Sequence, residues 1–286
     1  MSENRCLQDI FTRPLELVVF HREAIFMCEL LGLCFNTEVS VHLAFSGLKA
    51  GAMENPDGWG VAWYDEYGTQ IVKESRPAVR SRLATSFLEH IGARSRIFVS
   101  HIRRATAGAV GYVNTHPFYR RFDQKTWVFA HNGTIDPSLL SFPSREFSPI
   151  GETDSELVFC SLLSWLSHRG IQLAGRNGFI LLHEKLREIN RLGELNLIFS
   201  DGRHLFVYHD RSGHVGLHFL LRQAPYKVVK LRGQYLTINL AEFIDPEEQG
   251  YIVASEPLSN ENWNRVKPGQ LLIFSEGNSI FTSKSE

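Results

Sequence analysis

The sequence predicts an α+β fold in which two antiparallel sheets pack face to face between outer helices, a four-layer αββα sandwich. Three observations lead there. Apolar runs of strand length recur along the whole chain, in numbers sufficient for two sheets. Helical runs are few, and the strands that follow residue 195 succeed one another without helices between them, which argues against a doubly wound parallel sheet. No internal repeat or low-complexity linker divides the chain, so one mixed domain is the simplest organisation.

Strands are expected at Cys28 to Cys34, Gly60 to Tyr64, Gln70 to Lys73, Arg96 to His101, Trp127 to His131, Leu195 to Phe199, His204 to Tyr208, Val215 to Leu221, Tyr251 to Ala254 and Gln270 to Phe274. Helices are expected at Val39 to Lys49, Val79 to His90, Asp154 to Ser167 and Phe179 to Leu192. The third opens with Thr153 and Glu156 at the spacing of a capping box, in which each side chain satisfies the other's backbone N–H.

Composition narrows the function classes. The chain has 286 residues, 43% hydrophobic and 21% charged, as an ordinary globular protein does. Its net charge is −1 and no run of five like charges occurs, so neither nucleic acid nor an anionic membrane is implied as a partner. Apolar stretches are far shorter than the ~18 residues of a membrane span. Asp9, Arg13, Glu16 and Arg22 interrupt the segment where a signal peptide would need its apolar core, and a cytoplasmic protein is expected. The four cysteines, at 6, 28, 34 and 160, form no CxxC pair, so reduced thiols are expected.

Four clusters carry chemistry. Cys28 directly follows Met27 and opens an apolar strand. As a chain terminus it would carry its own general base, because an α-amine has a pKa of ~7.7–8.0. The alternative is a small buried hydrophobe. His101-Ile102-Arg103-Arg104-Ala105-Thr106-Ala107-Gly108 and Asn114-Thr115-His116-Pro117 follow another apolar strand, and a guanidinium there can hold a carboxylate through two parallel hydrogen bonds. His131-Asn132-Gly133 supplies a side-chain amide beside a glycine N–H, the parts of an oxyanion hole. Gly151-Glu152-Thr153-Asp154-Ser155-Glu156 places a carboxylate in the first turn of a helix, where it can receive an ammonium group or offset the helix dipole. Taken singly, Arg103 reads equally well as an ion pair, and the histidines as satisfied polar residues at sheet ends.

Together, Cys28, HxRxATxG at 101–108, NxHP at 114–117, HNG at 131–133 and TDSE at 153–156 resemble a class II glutamine amidotransferase in order and spacing. The opening MCELLG, the DGWG turn at 57–60, FSDGR at 199–203 and ASEPL at 254–258 resemble its stand-alone, YafJ-like bacterial branch. The resemblance implies the N-terminal-nucleophile hydrolase fold and a type-2 glutamine amidotransferase domain over residues 27–286. It implies Cys28 as nucleophile, Asn132 and Gly133 as the oxyanion hole, Arg103 on the α-carboxylate and Asp154 on the α-amine of glutamine, with Thr106 and His116 as further substrate-binding positions. No metal or organic cofactor is implied.

Two features depart from the family pattern. Arg104 stands where synthase-linked members usually place a tryptophan. Residues 1–26 form an N-terminal extension, to be read as sequence upstream of the true start, as expression-derived sequence or as a processed pro-segment. The expected activity is release of ammonia or an amine from glutamine or a γ-glutamyl compound, with a separate acceptor subunit as a possible partner. A non-catalytic γ-glutamyl sensor or scaffold is the alternative, and a zinc hydrolase built on His101, His116, His131 and Asp154 a weaker one.

Overall fold

A computed structural model describes residues 28–51, 55–140, 146–232 and 237–284, so the extension at 1–26 lies outside the described residues. Chain order runs β1 (Glu29–Ser40), α1 (His42–Gly51), β2 (Trp59–Asp65), β3 (Gly68–Glu74), α2 (Arg82–Ser86), β4 (Arg94–Ile102), β5 (Phe118–Phe122) and β6 (Lys125–Asn132). Two helices follow, α3 (Asp154–Arg169) and α4 (Arg176–Ile189). The remainder is β7 (Asn196–Ser200), β8 (Leu205–Tyr208), β9 (His218–Arg222), β10 (Val228–Lys230), β11 (Thr237–Asn239), β12 (Gly250–Ala254), β13 (Asn264–Arg265), β14 (Leu271–Ser275) and β15 (Asn278–Thr282).

Among the described residues the strands form a seven-stranded sheet in the order β13-β9-β12-β1-β4-β2-β3 and a six-stranded sheet in the order β15-β14-β8-β7-β6-β5, with β10 and β11 as a separate hairpin. The pairings are antiparallel, as the paucity of late helices predicts.

Side-chain alternation explains the four layers, because successive strand residues point to opposite faces. In β1, Leu30 and Cys34 pack with Ile97, Val99, Val128, Ala130, Ile198 and Val207 between the two sheets. Leu31, Leu33 and Phe35 point the other way and pack with Phe45 and Leu48 of α1. On the far side, Phe129, Leu197 and Phe199 meet Phe159 and Leu163 of α3 and Leu182 and Leu186 of α4. Strands buried on both faces read as continuous apolar runs, which is why β1, β4, β6 and β7 were the easiest to see in sequence.

Several expected boundaries move. The helix expected from Val39 starts at His42, because β1 continues through Ser40 and pairs Val39 with Ser95 and Ser40 with Arg94. The helix expected over Val79 to His90 is a 3₁₀ turn at Ala78–Arg80, then α2, then a π turn at Phe87–Ile91. Ser81 interrupts it by acting as an N-cap, accepting from the Ala84 N–H at 2.9 Å. Strands β5, β10, β11, β13 and β15 carry too few alternating apolar residues to announce themselves. The FSDGR segment closes the β7–β8 turn: Asp201 Oδ1 accepts from Arg203 N and His204 N, and Oδ2 lies 2.7 Å from Lys125 Nζ on β6.

Gly60 shows how tightly β2 and β3 pack against the segment 115–117. A Cβ there would collide with the His116 carbonyl oxygen and lie 2.7 Å from Lys73 Cβ and 2.8 Å from Pro117 Cδ. Gly60→Ala is therefore expected to destabilise the protein by about 1–3 kcal/mol, the usual range for overpacking, with the 115–117 segment displaced. Chemical denaturation compared with the wild type measures it, and a variant of unchanged midpoint would contradict the packing described.

Candidate active site

Cys28 stands one residue before β1, at the end of the central strand of its sheet. The neighbouring β4 runs antiparallel, with Glu29 opposite Ile102, so the chain leaving β4 passes directly beside Cys28. Its sulfur is held by main-chain atoms: the Arg104 N–H donates to Sγ at 3.1 Å, and the thiol faces the Arg104 carbonyl at 3.1 Å. Burial pushes the thiol pKa up, against the pull of the Arg104 N–H, the Arg103 guanidinium and the cysteine's own backbone N–H.

The DGWG turn holds the segment that holds the cysteine. Asp57 N donates to Arg103 O at 3.1 Å, Arg103 N to Gly58 O at 2.7 Å, and Asp57 Oδ2 accepts from Ala105 N at 2.8 Å. Arg103 is 3% exposed. Its Nη2 donates to the carbonyls of Ala107 and Gly108 at 2.8 and 3.3 Å, which bends the following loop around it. Nη1 is buried and makes no hydrogen bond among the described residues, so one edge of the guanidinium is left for an acceptor. Asn114 clamps that loop to the start of α3, with Nδ2 on Ala109 O at 3.0 Å and Oδ1 accepting Glu152 N at 2.8 Å.

From the other sheet, β6 ends in His131 and Asn132. Asn132 Nδ2 donates to the Cys28 carbonyl at 2.6 Å, which engages one of its two amide hydrogens and leaves the second. Gly133 has φ +150°, and a Cβ there would run into the Glu194 carbonyl and lie 2.9 Å from His131 Nε2, so only glycine fits. His131 lies behind this turn. Its Nε2 donates to the Glu194 carbonyl at 3.0 Å, so Nδ1 accepts from Ser155 Oγ at 2.9 Å, an arrangement of the neutral ring that burial enforces by lowering its pKa.

Asp154 begins α3, and Thr153 caps the helix by accepting Glu156 N at 3.2 Å. The expected capping box is half made. The Glu156 carboxylate turns away to accept Gly151 N at 2.7 Å and to pair with Arg120. Asp154 Oδ2 accepts Ile135 N at 2.7 Å and Oδ1 accepts Ser155 N at 2.8 Å, which ties the carboxylate to the turn that carries Asn132 and Gly133. Each oxygen retains a lone pair for a further donor.

Thr106 is exposed on the loop beyond Arg103. His116 is buried, its ring 4.2 Å from that of His101 and 4.4 Å from that of Phe118, centroid to centroid. Burial lowers the pKa of His101 to about 3, and that of His116 well below its ordinary value, so both rings are neutral. Both ring nitrogens of His131 are engaged, by Ser155 and by the Glu194 carbonyl. Among the described residues no group of three or more His, Cys, Asp or Glu is placed to hold a metal ion.

Sequence reasoning passed over Asp57 as a site residue, and also Lys73, Ser155 and Glu194. Lys73 Nζ donates to Thr115 O at 2.7 Å and so fixes the segment bearing Asn114 and His116. Burial pushes its pKa down to about 8. Its signal was a lysine following Ile71 and Val72 at the end of the expected strand; Glu194 acts through its carbonyl and has none.

The profile of the class-II glutamine amidotransferases matches residues 27–286. The Methanocaldococcus jannaschii protein MJ1515 is 41% identical over 261 residues, covering 90% of this chain and 72% of that one. YafJ of Escherichia coli, whose name carries a glutamine amidotransferase assignment, is 33% identical over 89% of this chain and 100% of its own. The crystal structure of a predicted glutamine amidotransferase from Pseudomonas aeruginosa superposes with a TM-score of 0.62 at 25% identity, covering 89% of this chain and 96% of that one. Two antiparallel sheets between helices, with a cysteine at the head of the central strand, are the N-terminal-nucleophile architecture, and this chain belongs to the class-II glutamine amidotransferases.

Proposed function

We propose that the protein cleaves the side-chain amide of glutamine or of a γ-glutamyl compound through a thioester on Cys28. One observation carries the reading: Asn132 of the six-stranded sheet donates to the Cys28 carbonyl, while Arg103, with its open Nη1, follows β4 of the other sheet and its charge acts on the Cys28 thiol. Substrate enters with its α-carboxylate on Arg103 and its α-ammonium on Asp154. The free α-amine of Cys28 takes the thiol proton and the thiolate attacks the δ-carbonyl. Asn132 Nδ2 and Gly133 N receive the resulting oxyanion. Collapse breaks the C–N bond, and the proton held by the α-amine passes to the departing ammonia or amine. Water, deprotonated by the same amine, then cleaves the thioester to the γ-carboxylate and restores the thiol.

Removal of one oxyanion donor typically costs ~2.7–4 kcal/mol of transition-state stabilisation, while Arg103 and Asp154 orient the substrate. Thr106 and His116 are proposed to shape the substrate loop. The ammonia produced passes to water or to an acceptor on a separate chain.

Cys28→Ala is expected to abolish glutamine hydrolysis with the fold retained, and Cys34→Ala to leave it intact, since Cys34 is buried between the sheets. Ammonia release in a coupled assay decides this. Substrate binding without turnover by the wild type would favour the sensor instead.

Arg103→Lys is expected to raise KM by roughly ten-fold or more, because an ammonium cannot reproduce the fork. Asp154→Asn is expected to act likewise on the α-amine end. Equal turnover of analogues lacking either group would contradict these assignments.

Protein retaining residues 1–26 is expected to be far less active than protein whose first residue is Cys28, because an amide nitrogen is no base at pH ~8. Comparing the two forms, with intact mass recorded before and after the assay, tests it. Equal rates with the extension intact would exclude the Cys28 amine as base.

A further inference from the structure

Three consecutive residues at the reacting end of β1 are held from three directions. Cys28 is gripped by Arg104 and Asn132. Leu30 is fastened to the chain just beyond β12, with its N–H on Ser255 Oγ at 3.0 Å and its carbonyl accepting Ser255 N at 3.1 Å. Between them Glu29, buried at 6% exposure, pairs with Arg232, whose Nη1 lies 3.2 Å from Oε2.

Arg232 is put there by a built support. Its N–H donates to Leu258 O at 2.8 Å, and Leu231 bridges to Ser259. Lys230 is tied both ways to Asn260, accepting Asn260 N at 3.1 Å and donating to Asn260 Oδ1 at 2.8 Å. The strap 255–260, which includes most of the ASEPL segment, thus grips Leu30 at one end and the backbone of Arg232 at the other. The β10–β11 excursion that carries Arg232 has its own apolar core of Val229, Leu231, Ile238 and Leu240. A surface side chain needs no such foundation.

We infer that Arg232 is a positioning residue for the nucleophile, acting through the Glu29 carboxylate. The inference rests on Cys28 being the reacting thiol. A carboxylate one residue away favours the protonated amine and disfavours the thiolate, and the guanidinium offsets it. Arg103 pulls the thiol pKa down and Asp57 pushes it up. Loss of the unit charge on Arg232, screened because Arg232 is one-third exposed, shifts such an equilibrium by about half to one pH unit.

Two readings in the variants R232Q, R232K, E29Q and E29Q/R232Q test this. The first is the pH dependence of Cys28 alkylation by iodoacetamide in the full chain, followed by mass spectrometry. The second is kcat and KM for glutamine against pH in protein whose first residue is Cys28. R232Q is expected to raise the apparent pKa of alkylation and of the rising limb of kcat by about half to one pH unit. Its kcat near neutral pH falls about three- to ten-fold, with KM changed less than about two-fold. R232K restores the wild-type profile to within about two-fold, and E29Q/R232Q returns the pKa toward the wild-type value although no ion pair remains. A purely structural pair predicts the opposite for the double variant, which would be no better than R232Q. An unchanged alkylation profile in R232Q, or no recovery in the double variant, overturns the inference. A shifted alkylation profile in a protein without turnover upholds the inference and overturns the hydrolase reading alone.

Discussion

The hydrogen bond from Asn132 Nδ2 to the Cys28 carbonyl joins the two sheets where the chemistry is proposed to occur. Stacked sheets lie about 10 Å apart, so a 2.6 Å contact between residues of different sheets requires their strand ends to converge. The small side chains of Cys34, Ala62 and Ala130 in the layer between the sheets permit a close approach. Everything else at the site is arranged from one side or the other of this contact. The seven-stranded sheet brings the cysteine and the arginine; the six-stranded sheet and α3 bring the amide, the glycine turn and the aspartate.

Electrostatics follow from the same burial. His101 and His116 sit against each other in the interior, and desolvation keeps both neutral. Arg103, beside them, therefore has no imidazolium charge next to its open edge. Asp154 is held by two backbone N–H groups, so its orientation is set by the fold itself. Such preorganisation lowers the reorganisation needed during reaction.

The parts of this protein that were legible in sequence are those whose chemistry is local. Strands buried on both faces read as apolar runs, and the motifs at 101–108, 131–133 and 153–156 sit at strand ends or a helix cap, where spacing alone sets direction. What stayed hidden depends on distant partners. Glu156 fits the capping-box pattern, yet its carboxylate is taken by Arg120 and Gly151, because a partly buried guanidinium offers more than the Thr153 N–H. The helix expected from Val39 loses its first residues to strand pairing with β4, an interaction across more than fifty residues of chain that no local window contains. Glu194 supports the turn after β6 through its carbonyl, which every residue has, so its identity carries no message.

The cradle around the Cys28 sulfur is built from the main chain of Arg104. Peptide groups are the same whatever side chain they bear. Position 104 thus grips the Cys28 sulfur through peptide atoms that any residue would bring. A scaffold of this kind separates the part of the protein that must be kept from the part that is open to change.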